Sequence, residues 1–354
     1  MKYLLFTVLL LGTLTVSALA VELPAEVEEA LPRSAERWME EPADSDGIGL
    51  TEGVLHILSG VMSEFASVFR GRLRGVVSIL LVVLLCGSVR AGEPEAASFV
   101  RIAGALSVTV LTMGSMHGLM GLGMETIREL SDFSEVLLPA LAAVTAAAGG
   151  VSTASVQQIT VIFFADLLLR LTQTLLLPLV RLYVGLLTAG ACLPENHLDQ
   201  MAEGLKKGIS WLLTGGFLLF TGYLSAVRII SGSVDRTAVS VTKAALKGLV
   251  PVVGSILSQA AETVLAGAGM LRNAIGVFGM LGVLAACAYP FLQLGIQFAL
   301  YKITGFLCVI VGEKELCGLI QGLGGAFGLI LGMVGGCASL LLIAILGAVS
   351  AVAL

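Results

Sequence analysis

The sequence predicts an all-α polytopic membrane protein, and three observations lead there. Of its 354 residues 57% are hydrophobic and 13% charged, where a soluble domain carries roughly 25% charged residues. A soluble chain of this size needs far more polar surface to cover its core. Apolar stretches long enough to cross a hydrocarbon layer ~30 Å thick recur from residue 73 to the end. The chain also opens on a secretory start. Twenty Lys and Arg against 25 Asp and Glu give a net charge of −5, with no basic domain to hold nucleic acid.

Met1-Lys2, an apolar run over 3–16 and Ser17-Ala18-Leu19-Ala20 form a cleaved signal peptide, 1–20, ending on an A-x-A site. An uncleaved first span is the alternative. Cleavage puts Val21 outside the cytoplasm. The acidic extracytoplasmic leader, 21–53, carries ten acidic residues against Arg33 and Arg37, with Pro24, Pro32 and Pro42 among them. Such a segment buries too little apolar area to offset its ordering entropy, so disorder or loose helix is expected. It reads as a solvated leader or as a docking tail.

From 54 to 72 the pattern changes. Val54, Leu55, Leu58, Val61, Met62, Phe65, Val68 and Phe69 recur at helical spacing, opposite His56, Ser59, Ser63, Glu64 and Ser67. Arg70, Arg72 and Arg74 follow. This predicts an amphipathic interfacial helix on the membrane, its basic end at the headgroups. A helix packed on a protein partner is the alternative.

The helical membrane domain, 73–354, offers candidate spans at 73–89, 102–124, 133–151, 159–193, 209–230, 248–270, 274–312 and 319–354. Counting the longer ones as tilted, kinked at Pro178 and Pro290, or composite gives about 6–8 transmembrane or re-entrant helices. The stretches 133–151 and 248–270, rich in Ala, Gly, Ser and Thr, are the candidates for re-entrant segments. If all cross, the acidic loop 125–132 faces out and the basic loop 231–247 faces in, as positive-inside requires; Arg70, Arg72 and Arg74 on the outer side do not agree. Leu137-Leu138-Pro139 and Leu249-Val250-Pro251, like Pro178 and Pro290, are each 112 residues apart. That spacing raises an inverted three-span repeat, an arrangement secondary transporters share.

Catalytic signatures are missing from the sequence. It contains no phosphate-loop motif, no H-E-x-x-H and no G-x-S-x-G. Its three histidines lie far apart, and His117, inside an apolar span, reads as a packed, hydrogen-bonded side chain. The six cysteines form no C-x-x-C pair and read as small buried hydrophobes rather than a disulfide framework. No enzyme activity and no cofactor are expected. Charges within spans are costly and default to functional candidates. Asp166 and Arg170, four apart on one helical face, and Glu262 are read either as a polar pathway or as ion pairs that fix helix register. Gly324, Gly328, Gly332 and Gly336 recur every four residues, a ridge for close helix packing within the subunit or between copies.

Several blocks in a fixed order carry a resemblance. They are Phe133-Ser-Glu-Val-Leu-Leu-Pro139 with Gly149-Gly150-Val-Ser152, and Leu205-Lys206-Lys207-Gly208-Ile-Ser-Trp211. Val250-Pro251-Val-Val-Gly254 follows, then Ala260-Ala261-Glu262-Thr263-Val264-Leu265 and Asn273-Ala274-Ile275-Gly276-Val277-Phe278-Gly279. Together these resemble the stage III sporulation protein AE family of endospore-forming bacteria, from about residue 133 to the end. The resemblance implies a mother-cell protein in the membrane around the engulfed forespore. It also implies an oligomeric, channel-like or secretion-like complex with other stage III sporulation A membrane proteins, a separate cytoplasmic ATPase and a forespore-membrane partner. A stand-alone secondary transporter is the alternative.

Overall fold

The 125–132 stretch, Glu-Thr-Ile-Arg-Glu-Leu-Ser-Asp, holds good helix formers and no Gly or Pro. In the computed structural model it stays helical, and this sets the pattern for the fold. The structure describes residues 23–39, 50–92, 97–148, 164, 167, 170–193, 197–249, 253–311 and 314–350. Regular structure among them is helical. Two short helices, α1 (Ala25–Glu29) and α2 (Arg33–Met39), precede six long elements. These are α3 (Leu50–Gly92), α4 (Ala97–Ala147), α5 (Leu177–Cys192), α6 (Leu198–Leu249), α7 (Val253–Val311) and α8 (Lys314–Ser350).

The long helices alternate in direction. Gly279 and Gly282 of α7 face Leu137 and Phe133 of α4, while Gly305 and Gly324 link α7 to α8 as an antiparallel hairpin. The start of α3 and the end of α8 therefore share one end of the bundle, the leader end. Cys308 of α7 and Cys317 of α8 are joined by a disulfide at the other, the disulfide end. α7 and α8 share the most extensive contact, and α8 also packs on α4, α5 and α6. Buried Leu316, Leu323, Phe327, Ile330, Val334 and Ile345 run along α8 and make it the axis of the core.

Five helices among the described residues are long and apolar enough to cross a membrane: Leu50–Val89, Ser98–Ala147, Thr174–Cys192, Val264–Ile310 and Leu316–Val349. Among the described residues the eight candidate stretches do not form eight separate helices. The expected loops at 125–132 and 231–247 lie inside α4 and α6, and the proposed re-entrant stretches continue α4 to Ala147 and run along α7 from Val253. Glu125, Arg128 and Asp132 sit on exposed turns of α4. The orientation argument built on those loops falls with them. Likewise the helix from Val54 does not end at 72 but continues to Gly92, because no proline separates it from the span. Pro139 and Pro290 lie inside α4 and α7. Pro178 occupies the first turn of α5, directly after a π-helical segment, Leu171–Leu176, where its missing N–H costs least. Pro178 and Pro290 thus have different settings, and Pro251 lies outside the described residues, as do the signal peptide and Asp166.

At 51 residues α4 extends about 76 Å, more than twice a hydrocarbon layer. Exposure shows which part meets lipid. Large exposed apolar side chains lie on α3 at Leu55, Leu58, Met62 and Phe65 and again from Leu73 to Val89, on α4 from Phe99 to Met113, and on α7 at Val264 and Met270 and from Ile303 to Ile310. Beyond Met113, α4 exposes Glu125, Arg128, Asp132 and Glu135 instead. The belt from Leu73 to Val89 corresponds to roughly 25 Å of helix, close to the thickness of a bilayer core. At the leader end α4 therefore projects beyond the stretch whose length matches a bilayer core.

The leader is ordered where it meets this projection. Val27, Ala35 and Trp38 are buried, Leu31 lies against Gly282, and the Trp38 ring covers Gly60 of α3. Ser34 donates to Glu129 of α4, and Arg37 pairs with Glu64 of α3. The expectation of disorder missed that its few apolar residues, spaced along two short helices, fit one groove. Trp38→Ala should cost about 3 kcal/mol through the emptied space, whereas Arg37→Ala, at an exposed pair, should cost no more than about 1 kcal/mol. Hydrogen exchange over 25–39 reads the difference: protection is lost in the first variant and kept in the second.

Candidate functional site

α7 carries Tyr289, Gln293, Gln297 and Tyr301 at intervals of four, on one helical face. That face meets α3 and α4. Arg72 of α3 donates from Nη2 to Oε1 of Gln293. The Thr112 hydroxyl of α4 donates to the Val108 carbonyl at 2.8 Å, so the Tyr301 hydroxyl, 2.8 Å from Thr112 Oγ1, is the donor to it. Gln297 hydrogen-bonds Tyr301, which leaves its own Oε1 buried and unpartnered. Around these groups is a cavity of about 400 Å³, lined also by Ser67, Gly71, Gly75, Leu111 and Ser115. No carboxylate lines it, so Arg72 supplies its formal charge. Arg37 of the leader lies 5.9 Å from the centre of the Tyr289 ring, closing the side nearest the leader end.

A second polar cluster joins α5, α6 and α8. The Tyr183 hydroxyl donates to the Gly322 carbonyl at 3.1 Å. A Cβ on Gly325 would lie 2.9 Å from the Lys206 ammonium and 3.1 Å from the Tyr183 hydroxyl. The glycine is what lets these groups reach the α8 backbone. Lys302, on α7, lies 5.7 Å from the centre of the Phe298 ring.

Of the charged residues singled out from sequence, Arg170 is in neither cluster. Asp166 lies outside the described residues, Arg170 is exposed ahead of the π-helical segment, and the Glu262 side chain is not described. Glu262 lies about 40 Å along α7 from Tyr289. His117 faces outward and is exposed. Among the described residues no group of three His, Cys, Asp or Glu is placed to hold a metal. The glycine ridge divides between two helices. Cβ atoms on Gly324 and Gly328 would meet Tyr301 Cβ at 3.1 Å and the Phe298 ring at 2.9 Å on α7. Those on Gly332 and Gly336 would meet Leu213 at 3.5 Å and Phe217 at 3.2 Å on α6. The signal for the chamber was present as the four-residue polar spacing on α7, but neutral glutamines and tyrosines do not register in a search for charges.

The family model for stage III sporulation protein AE matches residues 51–352, from the start of α3 to the end of α8. The chain belongs to the stage III sporulation protein AE family. Within it, a Bacillus subtilis (strain 168) protein of that name is 22% identical over 203 residues, covering 57% of this chain and 51% of that relative. The chain thus spans about half the length of the curated relative it matches. No solved structure is similar to it.

The contacts rank the ridge positions. Gly328→Leu drives into the Phe298 ring and should destabilise the bundle by about 1–3 kcal/mol, lowering its unfolding temperature in detergent. Gly332→Ala meets only Leu213 and should leave that temperature unchanged; equal losses at both positions would contradict these contacts.

Proposed function

We propose that the chain is a non-enzymatic membrane subunit of a multiprotein channel or secretion-like complex between mother cell and forespore. Its partners in this reading are other stage III sporulation A membrane proteins, a cytoplasmic ATPase that supplies the energy, and a forespore-membrane protein. Family membership gives the sporulation role. The observation that carries the finer reading is the length of the helices. A bundle that continues well past its lipid belt, with a leader bound along the projecting part, offers partner surface outside the bilayer. Exposed Leu55, Leu58, Met62 and Phe65 lie on that projection. A stand-alone secondary transporter is favoured by one feature, the polar chamber at Arg72, since polar groups in such spans mark solute pathways.

A tagged pull-down from mildly solubilised sporulating cells, read by mass spectrometry, separates the two. Co-purification of other stage III sporulation proteins with their ATPase is expected. Recovery of the chain alone, under conditions that keep other membrane complexes intact, favours the transporter.

The same proposal places the protein in the mother-cell membrane around the forespore with its leader end outside the cytoplasm, as signal cleavage requires. Alternating helices then put the disulfide end in the cytoplasm, where thiols are kept reduced. The Cys308–Cys317 pair is therefore expected as two thiols in the cell. Trapping thiols before lysis and weighing the peptides reads their state; an oxidised pair turns the protein over and removes the signal-peptide orientation.

A further inference from the structure

The cavity at Arg72 is one end of a longer feature. Nearer the disulfide end a second cavity, about 260 Å³, opens between α3 and α4. It is lined by Val82, Leu85, Val89, Phe99, Val100 and Ala103, among others. Both cavities follow the same stripe of the two helices. Residues 68, 75, 82 and 89 recur every seven positions on α3, and residues 115, 111, 107 and 103 every four on α4. One end of the seam is polar and cationic, the other apolar, and Gly75 is separated from Val82 by about 10 Å of helix.

The depth of the two ends also matches an amphiphile. Arg72 lies between two exposed apolar stretches of α3, 55–65 and 73–89, and the second cavity lies along the latter, so a bilayer core covering 73–89 puts Arg72 at its headgroup edge. Seam residues face outward: Leu85 is 65% exposed and Phe99 76%. A lipid reaches the seam sideways, without crossing protein. At the polar end the Arg72 guanidinium gives one N–H to Gln293 and faces no carboxylate in the cavity. Its planar fork suits a phosphate. Gln293, Ser67 and Ser115 stand close by as neutral hydrogen-bonding groups. Exposed Arg70 and Arg74 on the adjoining turn add to the attraction for an anion.

We infer that the α3–α4 seam binds one anionic phospholipid, its phosphate on Arg72 and one acyl chain between Val82–Val89 and Phe99–Ala103. This site is independent of the proposed function and holds whether the protein is a complex subunit or a transporter. The bound lipid fills the groove between the first two membrane helices and satisfies the one cation of the chamber.

The full chain in detergent, titrated with phosphatidylglycerol and read by native mass spectrometry, tests it. One lipid should remain bound, with affinity reduced about tenfold in Arg72→Gln, the loss of a charge-assisted contact. Ala103→Trp, which fills the apolar cavity and leaves the chamber intact, should reduce it similarly and guards against misfolding of the first variant. Arg74→Gln should bind as the unaltered chain does. A loss in Arg74→Gln equal to that in Arg72→Gln means diffuse attraction to basic residues and overturns the site. Wild-type binding in both Arg72→Gln and Ala103→Trp also overturns it. Inorganic phosphate or glycerol phosphate that displaces the lipid at equal concentration makes the ligand a free anion instead.

Discussion

Close approach of α7 and α8 is the contact on which the bundle depends. In lipid the hydrocarbon tails are as apolar as the side chains, so burial gives little drive to associate, and contact must come from shape. Gly324 supplies it: a Cβ there would lie 3.1 Å from Tyr301 Cβ and within 3.8 Å of the Lys302 nitrogen. The two backbones run side by side because nothing stands between them. The same turn that brings α8 against Tyr301 lets the Tyr301 hydroxyl reach Thr112 on α4. On the opposite side of α8, Gly322 and Gly325 admit Leu187, Tyr183 and Lys206. One helix poor in side-chain volume thus organises four neighbours.

Helix length is the second constraint. A helix that only spans the bilayer needs about 20 residues, and α4, α6 and α7 have 51, 52 and 59. Outside the belt the solvent is water, and apolar faces of α4 and α7 that lipid would have covered need another partner. The leader supplies part of it. Val27, Ala35 and Trp38 are buried there although the segment around them is acidic. Acidic side chains on the outer surface and a few apolar ones beneath are what a strap at the membrane–water boundary requires.

The helical class and the membrane setting were legible because composition and span hydropathy depend only on the residues present. Pro178, read from the sequence as a kink point, instead opens α5 after the π-helical segment. Span number was not legible. Loops were inferred from charge at 125–132 and 231–247, and charge marks a loop only if every helix ends at the bilayer surface. Here the helices continue, and Glu125, Arg128 and Asp132 are exposed polar turns of α4. The leader was misjudged because net composition averages over the few apolar residues that dock. The choice of Asp166, Arg170 and Glu262 over Gln293 and Gln297 followed from weighting formal charge above hydrogen-bonding capacity.

Formal charge is not the only cost a polar side chain carries in a helix bundle. A buried carboxylate or guanidinium is expensive, so it is rare and conspicuous, but an amide in a helix bundle also carries a cost until it is paired. Four polar side chains in four-residue register on α7 align on one face only if that face has something to meet. Gln293 meets Arg72 and Tyr301 meets Thr112, while Gln297 bonds Tyr301 and keeps an unpartnered oxygen. Arg72 belongs to an interfacial cluster, and its neighbours Arg70 and Arg74 face outward. The amide stripe draws it to the bundle, where the fork gains an acceptor without a carboxylate to neutralise it. The result is a cation held at headgroup depth on an uncharged cradle, with its charge left for a ligand rather than consumed by the protein.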